Sequence, residues 1–260
     1  MRQGRACLHG LVKGMSVMGR GVVTGAGSGI GKAVATRMLR EGVDVLAVDI
    51  DARKLAELAA AGCEIMGVDL ADESGRVTLA EAAAGADYLV NSHGVILVKS
   101  IFDVSVEDWR RIQAVNAESV FFLCQQIGPR MKPGGAIVNL SSSSSKLAST
   151  VEVAPYAASK TTILSITRSF AYALASRPVR VNAICPGIVD TPMQDNVLAG
   201  VSTLRRTEVA ALEEARTRAV PLGRAASADE CAGAIWFLLS DEAAYMTGQA
   251  VNFTGGMVTW

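Results

Sequence analysis

The run Thr24-Gly25-Ala26-Gly27-Ser28-Gly29-Ile30-Gly31 restricts the fold of this chain more than any other stretch. A short apolar run, Val22 to Thr24, precedes it, and a helical pattern, Ile30 to Glu41, follows it. Glycines here let the backbone turn sharply and let another group approach it closely. A second apolar run, Val43 to Val48, ends at Asp49, which lies 18 residues beyond Gly31. Strand, tight turn, helix and strand make a βαβ unit, and such a unit pairs its strands in parallel.

The alternation continues to the end of the chain. The pattern predicts a helix over Leu55 to Ala60 and strands at Glu64 to Val68 and Tyr88 to Val90, with a short Ala-rich helix between the two strands. Trp109 to Met131 reads as one long helix, stopped by Pro133-Gly134-Gly135. A strand over Ala136 to Leu140, a long helix over Tyr156 to Ser176 and a strand over Val179 to Ile184 come next. Glu230 to Leu239 reads as a helix and Ala250 to Phe253 as the last strand. Near-continuous apolar strands such as Val43 to Val48 suit a sheet covered on both faces. The expected fold class is α/β: a Rossmann-type, doubly wound parallel sheet of about seven strands, with helices on both faces. No repeat and no linker interrupts it, so residues 18–260 are expected to form one domain.

The Gly-rich turn opens a helix, and a helix N-terminus offers free N–H groups and the positive end of a dipole. This is a cradle for a pyrophosphate, so Gly25, Gly27, Ser28, Gly29, Ile30 and Gly31 are expected to hold a dinucleotide. Asp49, at the end of the next strand, can accept hydrogen bonds from both adenosine ribose hydroxyls and would repel a 2′-phosphate. It favours NAD over NADP. Ser28 stands where a compensating cation would sit inside the turn. Lys32 and Asp51 are weaker candidates for that end of the ligand.

Tyr156-Ala157-Ala158-Ser159-Lys160 places a phenol and an ammonium four positions apart, on one face of a helix. A free tyrosine titrates near 10, too high for a base at neutral pH, and a neighbouring cation favours the phenolate. Ser141-Ser142 closes the strand before it. Asn116 sits in the middle of a helical stretch, where asparagine has poor propensity.

With these residues in view, the chain resembles the short-chain dehydrogenase/reductase family from Gly21 to Gly256. The resemblance rests on Thr24 to Gly31, the Asp69-Leu70 pair, the Asn91 to Gly94 turn and Asn116. It extends to the serine, the Tyr156–Lys160 motif, Cys185-Pro186-Gly187 with Thr191, and Gly248 to Gly256. It implies a catalytic tetrad of Asn116, Ser142, Tyr156 and Lys160. Tyr156 would exchange a proton with the substrate oxygen and Ser142 would hydrogen-bond it. Lys160 would bind the nicotinamide ribose and lower the tyrosine pKa, and Asn116 would hold a water in the proton relay. It also implies cofactor contacts from Asp69, Leu70, Asn91, His93, Gly94, Pro186, Gly187, Ile188 and Thr191. The implied activity is NAD-dependent hydride transfer between a secondary alcohol and a ketone. The polar residues Lys146, Thr150 and Glu152 before Tyr156 favour a small polar substrate such as a polyol, sugar or sugar acid. Alternatives are a 3-oxoacyl thioester reductase and a non-catalytic NAD-sensing protein of the same fold.

Three features depart from the family pattern. His93 replaces a small residue in the turn Asn91-Ser92-His93-Gly94. Ser142 lies 14 positions before Tyr156, one more than is usual, which leaves Ser143 as the rival serine. The stretch from Asp69 to Asn91 is short, which trims a peripheral helix. Residues Asp190 to Arg218 correspond to the family's mobile substrate lid. They carry Arg205, Arg206, Arg216 and Arg218 beside Glu208, Glu213 and Glu214, and read as a solvated helix laced with ion pairs or as cations for an acidic substrate.

Charge and cysteine usage narrow the remaining classes. Lys and Arg number 25 against 25 Asp and Glu, so no basic footprint for nucleic acid or an anionic membrane exists. No run of about 18 apolar residues could span a bilayer. The five cysteines are widely spaced with no CxxC pair, which argues for reduced thiols, a cytoplasmic location and no metal site. Residues 1–17 lack the apolar run of a signal peptide and read as a disordered N-terminal extension, or as an upstream start with Met15 or Met18 as the natural beginning. The family commonly forms tetramers, so a homo-oligomer, a tetramer or else a dimer, is expected. The long helices holding Asn116 and Tyr156 would pair, with Trp109, Phe121 and Phe122 as core or oligomer contacts and Met246, Phe253 and Trp260 between subunits.

Overall fold

The computed structural model describes residues 19–148 and 150–260. The expected extension, residues 1–17, lies outside the described residues. Seven parallel strands form one sheet in the order β3-β2-β1-β4-β5-β6-β7. They are β1 (Arg20–Thr24), β2 (Asp44–Asp49), β3 (Glu64–Gly67), β4 (Tyr88–Asn91), β5 (Ala136–Leu140), β6 (Arg180–Pro186) and β7 (Ala250–Phe253). The order reverses between β1 and β4, so a crevice opens at the carboxyl ends of those strands.

Strand alternation splits the core into two layers. Val23, Val45, Ala47, Val90 and Val138 point to one face, where α1 (Gly29–Arg40) and α9 (Ala228–Leu239) cover them. Val22, Leu46, Val48, Leu89 and Ile137 point to the other. There α3 (Glu73–Ala82), α5 (Ser119–Ile127) and α6 (Ala154–Leu174) cover them. The remaining helices are α2 (Ala56–Ala60), α4 (Val106–Gln113), α7 (Pro192–Arg205) and α8 (Val209–Arg218). Capping boxes start α4, through Ser105 and Asp108, and α9, through Ser227 and Glu230.

The long helix expected over Trp109 to Met131 is broken. A single π-turn, Ala114–Glu118, separates α4 from α5, and a 3-10 turn over Gly128–Arg130 ends the run at Pro129. A π-turn adds a residue to the turn and re-aims the side chains that follow. Met246 and Phe253, expected between subunits, are partly buried and pack against the first core layer. Trp260 is exposed.

Candidate active site

A cleft of about 850 Å³ follows the carboxyl ends of the strands and continues under α7 and α8. At one end lies the Gly-rich turn. Gly25 takes φ +67°, and a side chain at Gly31 would overlap the Gly25 carbonyl. The turn is closed on itself, and only glycine fits. Ser28 precedes α1 without capping it through its hydroxyl, so the first-turn N–H groups face the cleft without that partner. Asp49 accepts from Gly27 N at 2.9 Å and from Asp51 N at 3.1 Å. Each carboxylate oxygen accepts one of these bonds and keeps further acceptor capacity, and Asp49 lines the cleft. These donors and acceptors fit the diphosphate and the ribose of a dinucleotide. Lys32 pairs outward with Glu57 at 2.7 Å, and Asp51 with Arg53 at 2.8 Å. Neither competes for that end. Lys54, which sequence reasoning missed, lines the cleft with Asp49. Gly27 marks its place, because a side chain there would strike both Asp49 and Lys54.

The other end is built by β5 and α6. Lys160 Nζ donates to the Leu140 carbonyl at 2.8 Å, and Ser141 Oγ donates to the Lys160 carbonyl at 2.8 Å. These bonds lock the helix to the strand end. Lys160 Nζ lies 5.6 Å from the centre of the Tyr156 ring. Burial pulls the Lys160 pKa down to about 8. Burial raises the Tyr156 pKa, and a hydrogen bond with Ser142 partly opposes it. Ser142 Oγ also accepts from Ser144 N at 3.1 Å. Ser142 and Ser143 both line the cleft, and Ser142 is the one whose hydroxyl opposes the rise in the phenol's pKa.

Asn116 is fully buried and does not line the cleft. Its Oδ1 accepts from Val95 N at 2.8 Å, and its Nδ2 donates to the Val95 carbonyl and to Ser159 Oγ at 2.9 and 3.0 Å. Ser159 Oγ in turn donates to the Tyr156 carbonyl at 2.7 Å. Both amide protons are thus used, and the side chain ties the loop after β4 to the first turns of α6. Gly94 lets this happen, since a side chain there would crowd Asn116 Oδ1 and Lys160 Nζ.

His93 reaches inward from the same loop. Its Nδ1 lies 2.6 Å from Thr24 Oγ1, and Lys160 is the charge that acts on it. Burial, then that ammonium, hold its pKa at about 3, so the ring is neutral.

The cleft lining also contains Asp69, Leu70, Pro186, Gly187, Ile188 and Thr191, together with Gly25, Ser28, Gly29, Ile30, Gly31 and His93. Asn91 does not face it. Its Nδ2 donates to Asn139 Oδ1 at 2.8 Å beneath the sheet end. Gly27 also lies outside the lining and serves Asp49. Of Lys146, Thr150 and Glu152, Thr150 alone lines the cleft. Lys146 turns away to Asn252 Oδ1 at 2.7 Å, and Glu152 is held by Arg205. Among the described residues, no group of His, Cys, Asp and Glu could hold a metal ion, and no helix is long and apolar enough to cross a membrane.

Comparison with known proteins agrees with this layout. The family described as enoyl-(acyl carrier protein) reductase matches residues 25–258. The 2-(S)-hydroxypropyl-CoM dehydrogenase 3 of Xanthobacter autotrophicus is 36% identical, covering 90% of this chain and 94% of its own. Galactitol 2-dehydrogenase (L-tagatose-forming) of Cereibacter sphaeroides is 34% identical, covering 92% and 94%. A crystal structure of an actinorhodin polyketide ketoreductase variant with NADPH superposes with a TM-score of 0.83 at 31% identity, over 93% of this chain and 97% of that one. On the strength of this match along nearly its whole length, the chain belongs to the short-chain dehydrogenase/reductase family, oxidoreductases that bind a nicotinamide cofactor.

Proposed function

We propose that the protein is an NAD-dependent oxidoreductase that interconverts a secondary alcohol and a ketone on a small polar substrate. The observation that carries the reading is the grouping of Tyr156, Ser142 and Lys160 in one cleft with a dinucleotide-shaped cradle at its other end. NAD, when bound, supplies the hydride acceptor for alcohol oxidation. Tyr156 Oη takes the hydroxyl proton, and in the reverse direction returns it to the carbonyl oxygen. Ser142 Oγ donates to the substrate oxygen and fixes it against the phenol. Lys160, held by Leu140, keeps a positive charge near a phenol whose burial would otherwise resist ionisation.

Asn116 has a supporting part. With both amide protons already engaged, it has no free side-chain donor for a relay water. We read it as a positioning residue that holds α6 against the loop after β4. NAD is preferred over NADP because Asp49 presents open acceptor positions where a 2′-phosphate would sit. The name of the galactitol relative supports a polyol-like alcohol, and four free, buried cysteines among the described residues support a cytoplasmic setting. A tetramer built on α5 and α6 is favoured by exposed Phe121 and Tyr172, with Phe121 set edge-on against Phe170 at 5.3 Å. NAD reduction against a panel of polyols, sugars, hydroxy acids and secondary alcohols tests the reading. It fails if none is oxidised and calorimetry detects no nicotinamide nucleotide.

A further inference from the structure

Three guanidiniums line the cleft beyond Tyr156: Arg111 on α4, Arg205 at the end of α7 and Arg216 on α8. Arg205 is already matched, because Glu152 takes its Nε and Nη2 at 2.6 and 2.8 Å. Arg218, two residues past Arg216, turns outward to Glu214. Arg206 closes α7 in the left-handed region. Arg216 also turns in. Its Nη1 and Nη2 donate to the Gln194 side-chain oxygen at 2.6 and 3.1 Å, with the amide in the orientation that satisfies both its ends. No carboxylate pairs with it among the described residues. It is half-buried, and the charge acting on it is another cation, Arg205.

The neutral amide of Gln194 is a weaker partner for a guanidinium than a carboxylate or a phosphate, whose geometry the guanidinium fork matches. The carboxylates that line the cleft among the described residues, Asp49 and Asp69, belong to its opposite end. Val197, Leu198 and Val201 on α7 and Leu212 on α8 give the same cleft an apolar lining. Low-dielectric walls strengthen the field of a charge they enclose. We propose that Arg216, oriented by Gln194, binds an anionic group on the substrate, so that the reacting alcohol belongs to a hydroxy acid with a short apolar spacer.

This inference rests on the alcohol–ketone reading but is tested apart from turnover. The probe is pentanoate, with pentan-1-ol as its neutral counterpart, titrated by calorimetry into the NAD-loaded protein. Pentanoate should bind at least about tenfold more tightly than the alcohol, a difference of about 1.4 kcal/mol. Arg216→Gln should erase that preference and leave NAD affinity unchanged, and Arg216→Lys should restore part of it. Unfolding midpoints of both variants report folding. An absent preference in the wild type, or a preference that survives Arg216→Gln, overturns the proposal. So does a parallel loss of NAD affinity, which would assign the cation to the cofactor's diphosphate. Tyr156→Phe should bind pentanoate as the wild type does, so loss of catalysis and loss of the anion site are read separately.

Discussion

His93 Nε2 lies 2.6 Å from Ser119 Oγ, and that contact fixes the tautomer of the half-buried imidazole. Ser119 Oγ donates its one proton to the Val115 carbonyl at 2.6 Å, so it must accept from Nε2–H. Nδ1 is then an acceptor, and Thr24 Oγ1 donates to it. One directed chain runs from the start of the Gly-rich turn, through His93, to the carbonyl beside Asn116 in the π-turn.

The chain makes acid stability depend on His93. Its folded pKa, about 3, lies below the ordinary value of 6.5. Below about 6.5 the unfolded chain takes up a proton that the folded ring refuses. The contribution is therefore complete above that pH and is lost as pH falls toward about 3, by up to about 1.4 kcal/mol per pH unit. Urea midpoints measured against pH should show this slope, and His93→Asn should flatten it. An unchanged slope in the variant would remove His93 as its source.

Tyr156→Phe removes the hydroxyl that exchanges the proton and leaves the ring packing in place. Turnover should fall by at least about 100-fold, the lower end of what a positioned acid–base contributes. Dinucleotide affinity should hold, because the cradle at Gly25 to Gly31 lies at the other end of the cleft. Turnover near the wild-type rate would take Tyr156 out of the chemistry.

Asp49→Ala is expected to relax the choice of cofactor. The carboxylate repels a 2′-phosphate, and Lys54 lines the cleft with it. With the acid gone, that ammonium would be free to attract the phosphate. The ratio of kcat/KM for NAD over NADP should drop by about tenfold or more, equivalent to about 1.4 kcal/mol. A ratio that does not move would sink the assignment.

Features set by local geometry are legible in the amino-acid sequence itself. The turn from Thr24 to Gly31 needs its glycines at fixed offsets, and the Tyr156–Lys160 spacing puts both groups on one helix face wherever that helix packs. The inner strands follow from apolar runs that only a doubly covered sheet would bury, whereas β3 at the sheet edge is largely exposed. What stays hidden depends on tertiary contacts. The π-turn at Asn116 is held by Val95 and by the Ser119–Val115 bond, and nothing in the local pattern of Trp109 to Met131 marks the extra residue. Arg216 and Arg218 differ by about 200° around a helix axis. Which of them faces the cleft is decided by how α8 sits on α7, so the four lid arginines look alike in sequence. Asn91 illustrates the opposite case. Its place at a strand end suggests a cofactor contact, yet the neighbouring strand's Asn139 draws its amide beneath the sheet.

Gly31→Ala tests whether the closed turn is a condition for binding. A methyl at this position would overlap the Gly25 carbonyl oxygen and crowd the Gly25 carbonyl carbon, which are backbone atoms that cannot rotate away. The turn would have to open, or α1 would have to shift along β1. Overpacking of this kind costs about 1–3 kcal/mol, so the thermal midpoint should fall by several degrees. The same shift would move the first-turn N–H groups of α1 that face the cleft, and dinucleotide affinity should fall with it. Alanine at Gly85 is the control for glycine replacement itself. That residue also has a positive φ, +75°, but nothing lies within 4 Å of a side chain there. Its variant should lose some stability from backbone strain yet bind the dinucleotide normally. Equal losses of affinity in both variants would mean that the closed geometry at Gly31 is not what holds the diphosphate.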